Sequence, residues 1–346
     1  MPATEEFQRT VLPPMQSQVT LFGATGQVGR MAAAYIGSAG VKMIVPYRDH
    51  GMSVREIKMA GDVGQVAPKQ FSFTDKESVK ATMVNSNLVI NCIGSYTPTM
   101  HYNEHDANVK TAYRIAETAK EMGVDRFIHV SAAGASEKAS SKFLQAKWES
   151  EEVVKQFFPN ASIIRPCFIF NPDDEYLHSL ASAAATAKSH IVPFADTRIQ
   201  PTYARDVGAA VAQIALNPEI DGQVWTLGGT KTYTRGELYD TFRKMINRQI
   251  MEVNPTTSLG AVGSLVQFLK DEAFYLHKSH RLTPIHSTDY FKSNVTLDTV
   301  PLTKGFKELG IEPTDTELAF IRVCRPYMSI TQSPALQPSL FHRKIM

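Results

Sequence analysis

Cysteine is scarce in this chain. Only Cys92, Cys167 and Cys324 occur among its 346 residues, and they lie far apart. An odd number of widely separated cysteines excludes both the disulfide framework of small secreted domains and a zinc site made of four cysteines. The fold must therefore be held by a hydrophobic core, which a chain of this length can build without covalent cross-links.

Long apolar runs and an excess of charge are missing as well. No stretch of about 18 predominantly apolar residues occurs, so the sequence does not support a transmembrane helix. The net charge of +2 gives no electrostatic footprint for a nucleic-acid partner. Residues 1–18 carry Glu5, Glu6 and Arg9, unlike a signal peptide or an acid-poor transit peptide. We therefore expect that any targeting segment has been removed or was never there.

The chain does contain a regular alternation of strand-like and helix-like segments. Apolar residues make up 43% and charged residues 20%, which is typical of globular proteins. The length allows two domains or one large α/β unit with an appendage. Strands are predicted at 19–22, 41–47, 69–73, 87–93, 126–130 and 161–165, and helices at 30–38, from 75, at 107–122 and at 141–157. This alternation predicts an α/β fold with a Rossmann-like, doubly wound parallel sheet.

Three glycines lie where the first predicted strand turns into the first helix. Gly23 permits the tight turn, Gly26 lets the backbone approach a pyrophosphate, and Gly29 allows close packing of helix on strand. The N–H groups of Gln27 and Val28 would then face phosphate with the helix dipole behind them. The pattern predicts dinucleotide binding. The alternative is a glycine turn without a ligand.

Arg48 follows the second predicted strand, about where an NAD-binding protein carries an acidic residue for the ribose hydroxyls. A guanidinium there favours a 2′-phosphate, because it is planar and permanently charged. Asp49 comes directly after it, so NADH is the less favoured cofactor and NADPH the predicted one. The alternative is an ordinary surface arginine.

The regular alternation ends after Pro166, where short helices, turns and isolated strands such as 222–229 take over. We expect four parts: an N-terminal extension (1–18), an NADP(H)-binding Rossmann domain (19–172, completed by parts of 196–232), a smaller and less regular C-terminal lobe interleaved with it (173–330), and an extended tail (331–346). The tail contains Pro334 and Pro338, and it either frays or lies on a partner.

These motifs resemble the short-chain dehydrogenase/reductase superfamily in its extended and atypical branch. Besides the glycine pattern, the similar stretches are Asn91-Cys92-Ile93-Gly94, Val130-Ser131 and Arg165-Pro166. In that family the first stretch contacts the cofactor, the second carries the active-site serine, and the third lies beside the nicotinamide. The resemblance implies cofactor contacts at Gly23, Thr25, Gly26, Gln27, Val28, Gly29, Arg48, Asn91, Ile93, Gly94, Ser131, Lys147 and Pro166.

The catalytic motif of that family is broken here. Active members carry Tyr-x-x-x-Lys on one helix face, where the phenol moves the proton while the ammonium lowers its pKa and holds the ribose. This chain has Phe143 and Lys147 at those positions. Losing a general acid typically costs about 10²–10⁴ in rate, so we predict no catalytic residue. The alternative is an atypical reductase or epimerase that uses Lys147 or a water instead.

A narrower resemblance is to the NADPH-containing accessory subunits of mitochondrial complex I. The similar segments lie at 45–48, 61–65, 75–78, 91–94, 127–131, 140–144 and 151–159. The resemblance implies a tightly bound structural NADPH and other complex I subunits as partners. It also implies a peripheral position on the matrix side of the inner membrane, in contact with membrane or lipid. The role would be assembly and stability near the junction of the two arms. A further alternative is an NADP(H) redox sensor.

Three weaker patterns in the sequence concern a histidine pair, two cysteines and an apolar stripe. His101 and His105 have metal-ligand spacing on a helix, but with no third ligand nearby we interpret them as loop histidines and predict no metal. Cys92 and Cys167 are interpreted as buried fillers rather than nucleophiles, since no histidine is adjacent to activate them. An apolar stripe over 259–276 indicates a core helix or an interfacial helix on a membrane or neighbouring subunit.

Overall fold

The structure is a computed structural model, and it describes residues 18–48, 52–96, 103–186, 192, 194–246, 289–300 and 303–328. Its strands are β1 (Gln18–Phe22), β2 (Lys42–Tyr47), β3 (Val66–Gln70), β4 (Leu88–Asn91), β5 (Arg126–Val130), β6 (Ser162–Pro166), β7 (Ile169–Phe170), β8 (Arg198–Ile199), β9 (Thr202–Tyr203), β10 (Val224–Leu227) and β11 (Tyr233–Thr234). Its α-helices are α1 (Gln27–Ser38), α2 (Met52–Lys58), α3 (Lys76–Thr82), α4 (Thr111–Glu121), α5 (Lys142–Phe157), α6 (Glu175–Thr186), α7 (Ala204–Leu216), α8 (Arg235–Ile246) and α9 (Thr316–Cys324).

One parallel sheet organises the described chain. Its seven strands run in the order β10-β6-β5-β4-β1-β2-β3, and each neighbouring pair is parallel. The chain leaves β1 toward β2 and β3 and then crosses back to β4, so the strand order reverses between β1 and β4. Ligands of doubly wound sheets bind at such a switch point, beyond the carboxyl ends of the strands. The fold class predicted from the sequence is therefore confirmed.

Buried apolar strands and small-residue helix faces explain the layering. All four residues of β4 are buried, as expected for a central strand covered on both faces. On one face, α1 presents Ala32, Ala33 and Ile36 to the core. α7 packs against this helix so closely that a Cβ at Gly208 would lie 2.4 Å from the Cβ of Met31. The glycine is what allows the two helices to approach to this distance.

The second part of the structure is a smaller, less regular lobe. Its hydrophobic cluster joins α6, α8 and α9, with Phe170, Phe242 and Phe320 in its interior. Two short strand pairs belong to this part, β11 with β8 and β7 with β9. α7 and β10 come from the same stretch of sequence but pack with the large sheet, so the two parts are interleaved in sequence.

Two local predictions differ from the structure. β3 begins at Val66, three residues before the predicted strand, because Phe71 and Phe73 moved the apolar signal past the true strand end. β3 is an edge strand, so it tolerates Pro68, which has no backbone N–H to donate to a neighbouring strand. α2, between β2 and β3, was not predicted.

Several sequence predictions concern residues outside the described chain, namely His101, the apolar stripe at 259–276, the tail at 331–346 and most of the N-terminal extension. Among the helices that are described, none is both long enough and apolar enough to cross a membrane.

Candidate functional site

The glycine turn has the geometry that close backbone approach requires. Gly23 has a φ of +79°, and a Cβ there would lie 2.8 Å from the carbonyl carbon of Cys92. A Cβ at Gly29 would lie 2.2 Å from the Gly23 oxygen. The Gly26 N–H donates to that same oxygen at 3.0 Å. Side chains at these positions would force the turn open.

The first helix begins immediately after this turn. No side chain caps α1 at Gly26, and a helix leaves its first N–H groups without partners inside the helix. Gln27 and the buried Val28 lie in that first turn, while Thr25 is exposed in the turn itself. An uncapped helix N-terminus beside a glycine turn fits an anionic group such as a pyrophosphate.

The parallel register brings three predicted segments to the same edge. Phe22 lies opposite Asn91 in the β1–β4 pair, and Thr20 lies opposite Ile44 in the β1–β2 pair. The glycine turn after β1, the exposed Arg48 after β2 and the stretch after β4 therefore share one end of the sheet.

Lys147 extends from α5 to this edge. Its side chain is only 4% exposed, and its Nζ donates to the carbonyl oxygens of Val130 at 3.1 Å and Ile93 at 3.3 Å. A Cβ at Gly94 would lie 2.5 Å from this nitrogen, so the glycine is needed for the lysine to reach its place. Burial lowers the pKa of Lys147 to about 8, although Glu151 partly offsets the effect.

A closed ring of hydrogen bonds fixes Lys147 to the end of β4. The Ile93 N–H donates to Asn91 Oδ1 at 3.0 Å, and Asn91 Nδ2 lies 3.2 Å from His129 Nδ1. His129 Nε2 lies 3.0 Å from Ser150 Oγ, which donates its own hydrogen to the Lys147 carbonyl at 2.7 Å. Because Ser150 must accept, His129 donates from Nε2 and accepts at Nδ1. The Nζ bond to the Ile93 carbonyl closes the ring.

Sequence reasoning missed His129 and Ser150. His129 stands inside a strand whose other residues indicate an ordinary buried strand, and Ser150 lies one turn beyond Lys147 on α5. The available signals were a histidine on a buried strand and a serine three residues after the lysine. Neither signal identifies its partner without the fold, since His129 and Ser150 are brought together only by packing of α5 on β5.

The ring requires a neutral His129, and this predicts a pH dependence of stability. Burial, with a smaller effect of Lys147, keeps the pKa of His129 well below its ordinary 6.5, so the unfolded chain takes up the proton first. The contribution to stability is therefore complete above pH 6.5 and decreases below it, by up to about 1.4 kcal/mol per pH unit. Urea unfolding of the wild type between pH 5 and 7.5 measures this slope.

The matched variant is His129→Gln, which stays neutral throughout that range. Burial raises the pKa of Asp174 to about 6, and this carboxyl acts in the opposite direction because the folded state then binds the extra proton. Only the difference between the wild-type and His129→Gln curves isolates His129. Parallel curves for the two proteins would contradict the prediction.

Ser131 and Pro166 lie at the ends of β5 and β6. The Ser131 N–H donates to the Ile164 carbonyl at 2.7 Å, and the Pro166 carbonyl accepts from the Ala133 N–H at 2.8 Å. The Ser131 hydroxyl oxygen is buried and has no hydrogen-bond partner among the described residues. A buried hydroxyl without a partner is costly unless something else bonds to it. A ligand hydroxyl or amide at this edge would satisfy it.

A contact that the sequence did not reveal ties the glycine turn to the lobe. Gln27 Nε2 donates to Asp174 Oδ2 at 3.0 Å, and Arg30 on the same helix pairs with Asp173 at 2.5 Å. Asp173 and Asp174 directly precede α6. The first turn of α1 is therefore held from the lobe side, which rigidifies the site.

The remaining candidates do not form reactive groups. Burial raises the pKa of the Cys92 and Cys167 thiols to about 12, so both stay protonated at neutral pH and are poor nucleophiles. His105 lies in a helical turn and not in the predicted loop, and its Nε2 is 3.2 Å from the Glu149 carboxylate at the surface. In the described ranges, no cluster of three or more His, Cys, Asp or Glu side chains has an arrangement that could hold a metal ion.

The residues at this edge fit a dinucleotide. The glycine turn leads into a helix N-terminus without a side-chain cap, Lys147 supplies a buried ammonium, and the Ser131 hydroxyl lacks a bond among the described residues. Phe143, one turn before Lys147 on α5, presents a buried ring with no titratable atom. The site can therefore bind and orient a cofactor. Its Lys147 face offers no phenol on α5 to move a proton.

Comparison with known proteins gives three results. The model of the NmrA-like family matches residues 15–259. The chain is 32% identical over 297 residues to the mitochondrial NADH-ubiquinone oxidoreductase 40 kDa subunit of Neurospora crassa, covering 86% of this chain and 76% of that one. It is 31% identical over 308 residues to the mitochondrial NADH dehydrogenase (ubiquinone) 1 alpha subcomplex subunit 9 of Mus musculus, covering 88% and 79%.

Similarity to solved structures concerns the fold alone. The UDP-glucose 4-epimerase of Thermotoga maritima has a TM-score of 0.62 at 15% identity and covers 89% of this chain and 97% of its own. The triphenylmethane reductase of Citrobacter sp. has a TM-score of 0.66 at 12% identity, with 89% and 99% covered. Both support the sheet topology described above.

Proposed function

The chain belongs to the NmrA-like family and, within it, to the accessory subunits of mitochondrial complex I; from this premise we propose that it holds NADPH as a structural cofactor. As a peripheral protein on the matrix side of the inner membrane, it supports assembly and stability near the junction of the two arms. Its partners are other complex I subunits, and contact with lipid belongs to the same proposal.

One observation carries the proposal of a retained, unreacted cofactor. The binding half of the site is intact, with Lys147 buried and fixed by two carbonyls and a hydrogen-bonded ring. At the adjoining position on α5, where related enzymes carry a phenol, Phe143 has no proton to give. A bound nicotinamide supplies hydride chemistry, but productive transfer to a carbonyl also needs a positioned proton donor.

We assign the cofactor contacts as follows. The glycine turn and the first turn of α1 hold the pyrophosphate, with Gly23, Thr25, Gly26, Gln27, Val28 and Gly29 around it. Lys147 and Ser131 hold the ribose and nicotinamide end, beside Asn91, Ile93, Gly94 and Pro166. Arg48 binds the 2′-phosphate. The shared sheet edge supports this division, since it places all three groups at the carboxyl ends of the strands.

A second candidate function is an atypical reductase in which Lys147 gives the proton. Its lowered pKa of about 8 favours this, because an acid near neutral pH transfers protons well. Against it, two of the three Nζ protons are committed to the Ile93 and Val130 carbonyls, and the third is the one that would hold the ribose. Addition of candidate carbonyl substrates to the purified protein separates the two functions. Decay of reduced-nicotinamide absorbance with a defined substrate would favour the reductase.

The test of the assembly role is a native gel of gently solubilised mitochondria. We expect mass spectrometry to find this chain at very high mass, migrating with the NADH dehydrogenase activity. Migration only near its own 38.3 kDa or as a small oligomer would exclude the subunit role.

A mutant whose complex assembles normally with an empty site would exclude a structural role for the cofactor. Free exchange of NADP⁺ and NADPH would favour a redox sensor.

The Arg48→Ala variant is expected to lose preference for NADPH over NADH. A charge-assisted contact to a 2′-phosphate is worth about 1.5–3 kcal/mol, so we expect NADPH affinity to fall about 10- to 150-fold while NADH affinity stays nearly unchanged. Titration calorimetry with both nucleotides measures this. The control is Lys42→Ala, because Lys42 is exposed and lies at the opposite end of β2 from Arg48. Equal losses for both nucleotides would contradict the assignment of Arg48.

A further inference from the structure

A late segment of the chain crosses the site edge beside α5. We call residues 289–300 the crossing segment; it begins with a 3₁₀ turn, Asp289–Lys292. It reaches α5 although the two are well over a hundred residues apart in sequence. No sequence motif indicates a role for this segment.

Several hydrogen bonds hold the crossing segment in place. The Arg198 N–H donates to Asn294 Oδ1 at 2.7 Å, and the Val295 N–H donates back to the Arg198 carbonyl at 3.2 Å. The Leu297 N–H donates to Gln200 Oε1 at 2.8 Å. These bonds join the segment to β8 and the residue after it, so it is a fixed part of the lobe.

The crossing segment also lies against the loop that follows β5. Ser293 Oγ is 3.2 Å from Ser140 Oγ, just before α5. A Cβ at Gly134 would lie 3.8 Å from both Val295 and Val300. The segment thus closes over the chain between Ser131 and Phe143, which borders the candidate site.

The segment places one large aromatic ring against Phe143. The centroid of the Tyr290 ring lies 5.1 Å from that of Phe143 at an interplanar angle of 76°. Tyr96, which follows Gly94 closely in sequence, packs on both rings with centroid distances of 6.2 Å to Phe143 and 6.0 Å to Tyr290. We call Tyr96, Phe143 and Tyr290 the aromatic cluster. Phe143 and Tyr290 are buried.

Tyr290 does not replace the missing phenol. Burial raises the pKa of Tyr290, and the neighbouring Cys167 and Tyr96 raise it further. An active phenol needs the opposite environment, with an ammonium beside it that lowers its pKa. The ring of Tyr290 therefore fills space beside Phe143 without taking over proton transfer.

We infer that the aromatic cluster occupies the place of a carbonyl substrate, so that the chain itself excludes oxidants from the reduced nicotinamide. A substrate oxygen must come within about 2.6–3.2 Å of the group at position 143 to receive a proton, and the rings of Tyr290 and Tyr96 pack in contact distance of Phe143. This inference rests on the proposed binding of NADPH. It adds that the cofactor is sealed as well as unreactive.

The first test is made on the wild-type protein loaded with NADPH. Acrylamide quenching of the reduced-nicotinamide fluorescence reports access to the ring, and we expect a quenching constant at least fivefold below that of free NADPH. The second probe is a small soluble quinone. The quinone takes a hydride from the nicotinamide and a proton from water, leaving hydroquinone and NADP⁺. We expect this oxidation to be strongly suppressed relative to free NADPH.

The variants test whether the cluster is the barrier. Tyr290→Ala should quicken quinone oxidation of the bound cofactor about tenfold or more, whereas Tyr290→Phe keeps the ring and should remain as slow as the wild type. Phe143→Tyr restores a phenol but should stay inert toward added carbonyls, because the cluster still fills the site.

The outcomes separate the two proposals. A wild-type protein that binds no NADPH contradicts the proposed cofactor role. A wild-type protein that binds NADPH but leaves it as accessible as the free nucleotide contradicts the sealing. The wild-type measurement remains decisive if Tyr290→Ala fails to fold. A folded, fully loaded Tyr290→Ala that is no more reactive than the wild type also overturns the inference.

Discussion

The Lys147→Met variant is expected to lose about one to two orders of magnitude in NADPH affinity, because a hydrogen bond from a charged group to a ligand oxygen contributes about 1.5–3 kcal/mol. NADPH at 100 times its Kd stabilises the wild type by about 2.7 kcal/mol, and a hundredfold weaker Kd leaves about 0.4 kcal/mol at the same concentration. Thermal unfolding with and without NADPH measures the difference directly.

Without nucleotide, the unfolding free energy of Lys147→Met should differ from that of the wild type much less than the NADPH-dependent stabilisation does. A fall in the pKa of Lys147 from the ordinary 10.5 to about 8 means that keeping its ammonium buried costs about 3 kcal/mol at neutral pH. Methionine removes this cost. It also takes a donor from the Ile93 and Val130 carbonyls, at about 1–3 kcal/mol each. The opposing effects largely cancel, so a binding role and a folding role are distinguishable.

Lys142→Met is the matched control, since Lys142 is exposed at the start of the same helix. It should keep both the unfolding temperature and the NADPH-dependent increase of the wild type. If Lys147→Met retained the full increase with NADPH, the lysine would not be a cofactor contact. If the nucleotide-free variant were unfolded, Lys147 would be chiefly structural.

The Arg165→Met variant is expected to lose about 3–5 kcal/mol of unfolding free energy. Arg165 binds Glu151 with two hydrogen bonds, from Nε at 2.9 Å and from Nη2 at 2.6 Å. The Glu151 side chain is 0% exposed. Removing the guanidinium leaves a buried carboxylate without its main counter-charge, which is the costly half of breaking such a pair. Urea unfolding at pH 7 measures the loss.

A second substitution tests the cause of that loss. Glu151→Gln in the Arg165→Met background removes the stranded charge and should recover part of the stability. Lys155→Met is the surface control on the same helix, because its pair with Glu152 is half-exposed and worth about 0.5 kcal/mol or less. Equal effects of Arg165→Met and Lys155→Met would show that burial of Glu151 is not decisive.

Local sequence patterns were enough to predict the sheet. β5 has the predicted bounds, and α5 begins within one residue of its prediction, because their apolar periodicity and end signals agree. The prediction of β3 was displaced because Pro68, Lys69 and Gln70 weaken the strand pattern, while Phe71 and Phe73 extend the apolar signal beyond it. α2 has no strong apolar face in sequence, so no pattern indicated it.

Some residues of the candidate site could likewise be recognised from the sequence, and others could not. The glycine turn, Lys147 and Phe143 are recognisable because each belongs to a motif with fixed spacing along one element. His129, Asp174 and Tyr290 are not, because their contacts join residues far apart in sequence. Such contacts depend on the packing of whole elements, which a local pattern does not encode. Sequence motifs therefore identify what the cofactor touches better than what encloses it.

The pairing of α1 with α7 has a consequence for the order in which the chain folds. The Tyr35 hydroxyl accepts a hydrogen bond from Arg205 across 170 residues of sequence, and α1 and α7 contribute residues to the same hydrophobic cluster. Contacts of such long range are slow to form, since the intervening loop must close first. A nascent chain that ends after β6 lacks α7 and leaves the part of α1 that packs on it uncovered. Such partly made chains are substrates for chaperones, and the sheet is completed only after β10 has been synthesised.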